Sequence, residues 1–75
     1  MKEKIINIMA SVFEVDQSSI NEKTSPDSLD EWDSVNHMNL ILALEEQFGV
    51  SFTDEEIVDM MDYKLVELLV KEKVN

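Results

Sequence analysis

The residues best placed to do chemistry in this sequence are Asp33-Ser34-Val35, at the point where a polar loop gives way to the most strongly patterned stretch, Ser34 to Phe48. Asp33 suits an N-cap, because its carboxylate can accept the backbone N–H groups that a first helical turn leaves without partners. Ser34 then takes the first helical position, with its hydroxyl toward solvent at the positive end of the helix dipole. A phosphate joined to that hydroxyl would gain from the dipole and from the free N–H groups. The geometry suits a phosphorylated or phosphodiester-linked serine. A serine after an aspartate at a helix start is usually only part of a cap, and spacing alone favours that reading. No catalytic constellation accompanies it: His37 is the only histidine and cysteine is absent. A Ser34–His37 pair at i, i+3 could hydrogen-bond, but no third member, oxyanion hole or sizeable pocket can be read from the chain. The helical wheel puts His37 on the core side, as a structural histidine at the mouth of the interhelical space.

The elements that must position this serine belong to one small domain, residues 1–75. A chain this short buries limited apolar surface and gains no disulfide or thiolate metal site. It contains no run approaching the roughly 20 apolar residues of a membrane span, so membrane insertion is not expected. Met1-Lys2-Glu3-Lys4 opens an amphipathic stretch and not a signal core, so a cytoplasmic location is expected. Seventeen acidic side chains against six lysines give a net charge of −11. That surface repels nucleic acids and anionic membranes and steers the protein toward basic patches on partner proteins. The acidic cluster Asp27, Asp30, Glu31 and Asp33 has neither the ligand spacing nor the glycine of a calcium loop, so no metal site is expected.

Helical periodicity predicts an all-α fold, a small bundle of three longer helices plus one short one, with a long loop between the first two. The first helix, 2–14, carries Ile5, Ile6, Ile8, Met9, Val12 and Phe13 on one broad stripe. Residues 15–33 read as loop, rich in turn formers and anchored by Val15, Ile20, Leu29 and Trp32. The second helix, 34–48, has two stripes: Leu40, Ile41, Leu44 and Phe48 on one, Val35, Met38 and Leu42 beside Ser34 on the other. A helix packed on one side needs only the first stripe. The second is either a protein-contact surface or covered by the loop or the third helix. Gly49, the only glycine, suits a left-handed residue just past the helix end. Thr53 and Glu56 have capping-box spacing for a short helix, 54–60, with Ile57 inward. Asp62 can cap the last helix, 63–73, whose stripe reads Leu65, Val66, Leu68 and Leu69.

The blocks Asp33-Ser34-Val35, Leu40-Ile41-Leu42-Ala43-Leu44-Glu45-Glu46-Gln47-Phe48 and Phe52-Thr53-Asp54-Glu55-Glu56 closely resemble the acyl carrier protein family over nearly the whole chain, with no gaps between blocks. The resemblance implies that Ser34 carries 4′-phosphopantetheine, delivered from coenzyme A by a holo-synthase (a phosphopantetheinyl transferase). The arm's thiol would hold an acyl or aminoacyl group as a thioester, and the protein would shuttle that cargo without being an enzyme. Asp33 and Val35 would flank the attachment point. Val35, Met38, Leu42, Glu45, Glu46, Asp54 and Glu55 would form the docking face for acyl-loading and acyl-transfer enzymes with basic patches, and the carrier would act as a monomer. If an acyl chain enters the bundle, His37 would line its entrance.

Two departures bear on the pathway. Glu31-Trp32 replaces the usual glycine-containing stretch before the serine, and Asn36 and Asn39 stand where fatty-acid-synthesis carriers usually have acids. The Trp-Asp-Ser form looks more like specialised carriers of fatty acid, polyketide or lipid-type pathways, or like aminoacyl and D-alanyl carriers. The competing class is an acidic helical interaction module with no prosthetic group, which would explain the charge and the second stripe but not the three blocks together. A small metal-binding regulator fails on ligand spacing.

Overall fold

Apolar residues three and four apart on three segments must turn inward together, and the computed structural model, which describes residues 1–74, buries them in a helical bundle. The order is α1 (Lys2–Phe13), a 3-10 turn (Gln17–Ser19), α2 (Ser34–Phe48), α3 (Asp54–Asp59) and α4 (Tyr63–Val74), with no strand among the described residues. The bundle is thus the expected three longer helices and one short one. α1 and α2 pack along each other, and α4 closes the core against α2.

α1 buries Ile5, Met9, Ala10 and Phe13. It ends one residue before the expected 14, because Glu14 turns left-handed (φ 57°, ψ 47°) and Val15 N–H reaches back to the Ala10 carbonyl. The loop that follows is less irregular than its composition implies. The 3-10 turn occupies its first part, and Thr24 Oγ1 accepts from Asn21 N–H at 2.8 Å in its middle. Ile20 and Trp32 are buried, and Val15 and Leu29 pack partly buried against the core. Trp32 lies against Phe13 of α1, with ring centroids 5.3 Å apart, so the residue just before the helix cap is fixed to the core. A Lys2–Glu22 ion pair at 2.7 Å joins the loop to α1 at the surface.

α2 buries His37, Leu40, Ile41 and Leu44 and ends at Gly49, which is left-handed (φ 65°, ψ 40°). Thr53 and Glu56 form the capping box of α3: Glu56 N–H donates to Thr53 Oγ1 at 3.1 Å, and Thr53 N–H donates to Glu56 Oε1 at 2.8 Å. The same Glu56 oxygen meets Lys73 Nζ at 2.8 Å, clasping α3 to the end of α4. That short helix ends at Asp59 and α4 reaches Val74, each one residue from the expected limit.

α4 is rotated from the expectation. Tyr63, Val66 and Val70 form its buried stripe and Leu69 is half-buried, whereas Leu65 and Leu68 are 38% and 52% exposed. Two stripes of similar spacing compete on this helix, and the buried one is the stripe that begins with Tyr63. Tyr63 N–H donates to the Thr24 carbonyl at 2.9 Å, docking the start of α4 on the loop with the Tyr63 ring inward. The Tyr63 hydroxyl donates to Glu67 Oε2, and burial together with that carboxylate pushes the phenol's pKa up.

Candidate functional site

The site is built on the first turn of α2. Asp33 is extended (φ −98°, ψ −177°) and its Oδ1 accepts Asn36 N–H at 2.8 Å, while its carbonyl accepts His37 N–H at the same distance. Ser34 is therefore the first helical residue, and it is exposed. The N–H groups of Ser34 and Val35 lie in the turn that has no intrahelical acceptors, so a phosphate on the serine oxygen would find donors and the positive dipole end beside it. Asn36 Nδ2 donates to the Glu31 carbonyl at 2.9 Å, and Asn39 Nδ2 donates to Asn36 Oδ1 at 3.2 Å. Asn36 thus ties the loop to the helix with a neutral amide, and Asn39 braces it from within α2.

The second stripe of α2 is open to solvent. Val35 is 69%, Met38 45% and Leu42 60% exposed, and neither the loop nor α3 covers them. Glu46 is exposed beside them. Glu45 is not free in the way its wheel position implies: it is half-buried and its Oε2 accepts Phe52 N–H at 2.9 Å, securing the link into α3. Asp54 and Glu55, both exposed, line a separate shallow depression with Val58 and Asp59. The expected docking residues therefore fall on two neighbouring helices and do not share one concavity.

A groove of about 530 Å³ opens beside Ser34, between the start of α2 and α3. Pro26, Trp32, Asp33, Ser34, His37, Met38, Ile57, Val58 and Met61 line it. Trp32 Nε1–H donates to His37 Nδ1 at 3.0 Å, and His37 Nε2 lies 2.8 Å from the Ile57 carbonyl oxygen. Sequence reasoning makes Trp32 a loop anchor and His37 a core-side histidine, each separately. Neither their bond nor the part of Pro26, Val58 and Met61 in the groove follows from helical periodicity. The only available signal is that the single tryptophan and the single histidine stand five residues apart around the serine.

Charge is segregated around this site. Residues 24–63 hold eleven of the seventeen carboxylates and no lysine, while the remaining six carboxylates are matched by all six lysines. The net charge of −11 therefore belongs to the segment that carries α2 and α3. Among the described residues no three acidic or histidine side chains converge as metal ligands. An exposed serine hydroxyl, free helix amides and an adjoining apolar groove suit a long flexible group held through a phosphodiester.

A family model described as the phosphopantetheine attachment site matches residues 3–71. An acyl carrier protein of Lactobacillus acidophilus is 40% identical over 53 residues, which are 71% of this chain and 66% of that protein, so the chain spans just under two thirds of this curated relative's length. The solution structure of a holo acyl carrier protein from Geobacter metallireducens superposes with a TM-score of 0.87 at 30% identity, covering 97% of this chain and 84% of that one. A match that runs through nearly every helix, on a fold shared with a holo acyl carrier protein, means that the chain belongs to the phosphopantetheine attachment-site family and is of the acyl carrier protein type.

Proposed function

We propose that Ser34 is the attachment residue and that the protein carries acyl or aminoacyl groups between enzymes of a specialised pathway. The observation that carries this reading is the exposed Ser34 at the first position of a capped helix, bordered by the uncovered apolar stripe of Val35, Met38 and Leu42. Ser34 supplies the hydroxyl oxygen of the phosphodiester. Asp33 holds the first turn in register, so the hydroxyl meets the modifying enzyme in one orientation. The bound arm supplies a thiol that holds cargo as a thioester, the one reactive group this cysteine-free chain lacks. Its length and flexibility raise the effective concentration of cargo at a docked partner's active site.

Val35, Met38 and Leu42 form the apolar centre of the docking face. Glu46, Asp54 and Glu55 form its acidic rim, with Glu45 fixing the frame between them. Partners with a basic surface, the phosphopantetheinyl transferase among them, are drawn to the acidic segment from a distance and settle on the stripe. The carrier acts as a monomer in the cytoplasm. No helix among the described residues is long and apolar enough to cross a membrane. Neutral Asn36 and Asn39 at the edge of the face favour a specialised pathway over general fatty acid synthesis, since two carboxylates expected by basic fatty-acid-synthesis enzymes are missing.

Transfer kinetics test the reading. Met38→Ala and Leu42→Ala should raise the transferase KM by roughly tenfold each, as exposed residues at the centre of a contact do. Restoring carboxylates with Asn36→Glu and Asn39→Glu should improve loading by fatty-acid-synthesis acyltransferases. Unchanged KM in the apolar variants would remove the docking face, and loading of the wild type as fast as the Asn→Glu forms would remove the specialised pathway.

A further inference from the structure

Trp32, His37 and the Ile57 carbonyl form a buried polar chain beneath the Ser34 groove. An imidazole nitrogen that accepts from an indole N–H carries no proton, so the His37 proton sits on Nε2 and is donated to Ile57. The His37 and Trp32 rings lie edge to edge and nearly coplanar, with centroids 6.1 Å apart, and Trp32 meets Phe13 of the core behind it at 5.3 Å. Both rings line the groove, yet Trp32 is 2% and His37 7% exposed, so together they are its floor. The Ile57 carbonyl belongs to α3, the wall that faces α2. His37 therefore joins the loop, α2 and α3 at one point, directly between the groove and the core.

We infer that His37 is a specificity-determining residue. It latches α3 to the start of α2 and keeps apolar cargo out of the bundle until the cargo is long enough to offset the broken latch. This rests on cargo being carried at Ser34. Opening the floor leaves an indole N–H and a backbone carbonyl without partners, which holds the closed form over the open one by roughly ten- to a hundredfold. Each methylene buried in the core shifts the balance back about fourfold. A short chain thus rests on Met38, Val58 and Met61 at the rim, and interior entry begins about two or three methylenes later than it would without the latch.

The test has two arms. In the unmodified protein, His37→Leu should speed amide exchange at Ile57 and Met60, whose N–H groups bond to Thr53 and Glu56 carbonyls, by roughly tenfold or more. Exchange at Met9 and Phe13 in α1 should change far less, and His37→Gln, which keeps a donor and an acceptor, should restore much of the protection. Equal acceleration in α1 and α3 would make His37 a general core residue and overturn the latch. In the second arm, holo wild type, His37→Leu and His37→Gln are loaded with saturated acyl groups from acetyl to dodecanoyl. Core methyl resonances of Leu40, Leu44 and Val66 and the Trp32 indole N–H are followed. Folded His37→Leu should show the onset of core perturbation about two or three carbons earlier than wild type, with His37→Gln between them. The same onset in all three, or none in any, overturns the inference. The first arm needs no prosthetic group, so a failure of loading at Ser34 would count against the carrier reading and leave the latch to its own test.

Discussion

Replacing Asp33 separates the helix cap from the charge it carries. Its Oδ1 accepts Asn36 N–H at 2.8 Å with extended backbone geometry, the arrangement in which an N-cap side chain contributes most. Asp33→Ala leaves that amide to water and should cost about 1 kcal/mol, within the roughly 0.5–2 kcal/mol range for lost caps. In a domain of 75 residues this lowers the melting temperature by about 4–8 °C. Asn caps as well as Asp, so Asp33→Asn should melt within about 2 °C of wild type. Thermal melts followed by helical circular dichroism read the difference, and amide exchange at Asn36 localises it to the first turn. In Asp33→Ala the fraying turn also loosens Ser34, so transferase turnover should fall while Asp33→Asn keeps it near wild type. Equal destabilisation by both substitutions would make the carboxylate charge, and not the cap, the stabilising feature. No change in Asp33→Ala would refute the capping argument outright.

Other substitutions probe the frame around the site. Gly49→Ala should destabilise by roughly 1–2 kcal/mol from backbone strain alone, because the position is left-handed and nothing lies within 4 Å of an added Cβ; Gly49→Asn should cost less in the same denaturant titration. Leu40 and Leu42 stand two residues apart on opposite fates. Leu40→Ala, at a fully buried position, should cost about 2–5 kcal/mol, while Leu42→Ala should change stability by less than about 0.5 kcal/mol and weaken only partner binding. The Lys73 ammonium, with help from Thr53 N–H, holds the Glu56 carboxyl below its ordinary 4.5. The unfolded chain then binds more protons than the folded one in the window below 4.5, so this contribution is present above that pH and is lost as pH falls toward the folded value. Glu56→Gln should therefore show a shallower loss of melting temperature between neutral and acid pH than wild type.

The parts of the fold legible in the sequence were those fixed by local chemistry. Asp33 before an apolar-periodic run, Gly49 after it and the Thr53–Glu56 pair each solve a helix-end problem within four residues, and the structure uses all three. α1 was legible because it has one dominant apolar stripe, and in α2, which has two, the structure buries Leu40, Ile41 and Leu44 and leaves Val35, Met38 and Leu42 open, one of the two outcomes its sequence offered. α4 also has two, and the one that is buried begins with Tyr63, whose N–H meets the Thr24 carbonyl of the loop, a tertiary contact that no helical wheel contains. Glu45 misled for a similar reason, since its partner is a backbone amide seven residues on. The Ser34 position was readable from its cap, but the groove beside it was not. Its floor depends on Trp32 and His37 meeting the carbonyl of Ile57, a contact between three elements brought together only by the packed bundle.

The most direct measurement is the intact mass of the folded protein after incubation with coenzyme A and a broad-specificity phosphopantetheinyl transferase, followed by peptide mapping. A gain of one phosphopantetheine, located on Ser34 and absent from a folded Ser34→Ala variant, is expected. No gain on the folded wild type with several transferases, or an undiminished gain on Ser34→Ala, would contradict the assignment of Ser34 as the carrier's attachment residue.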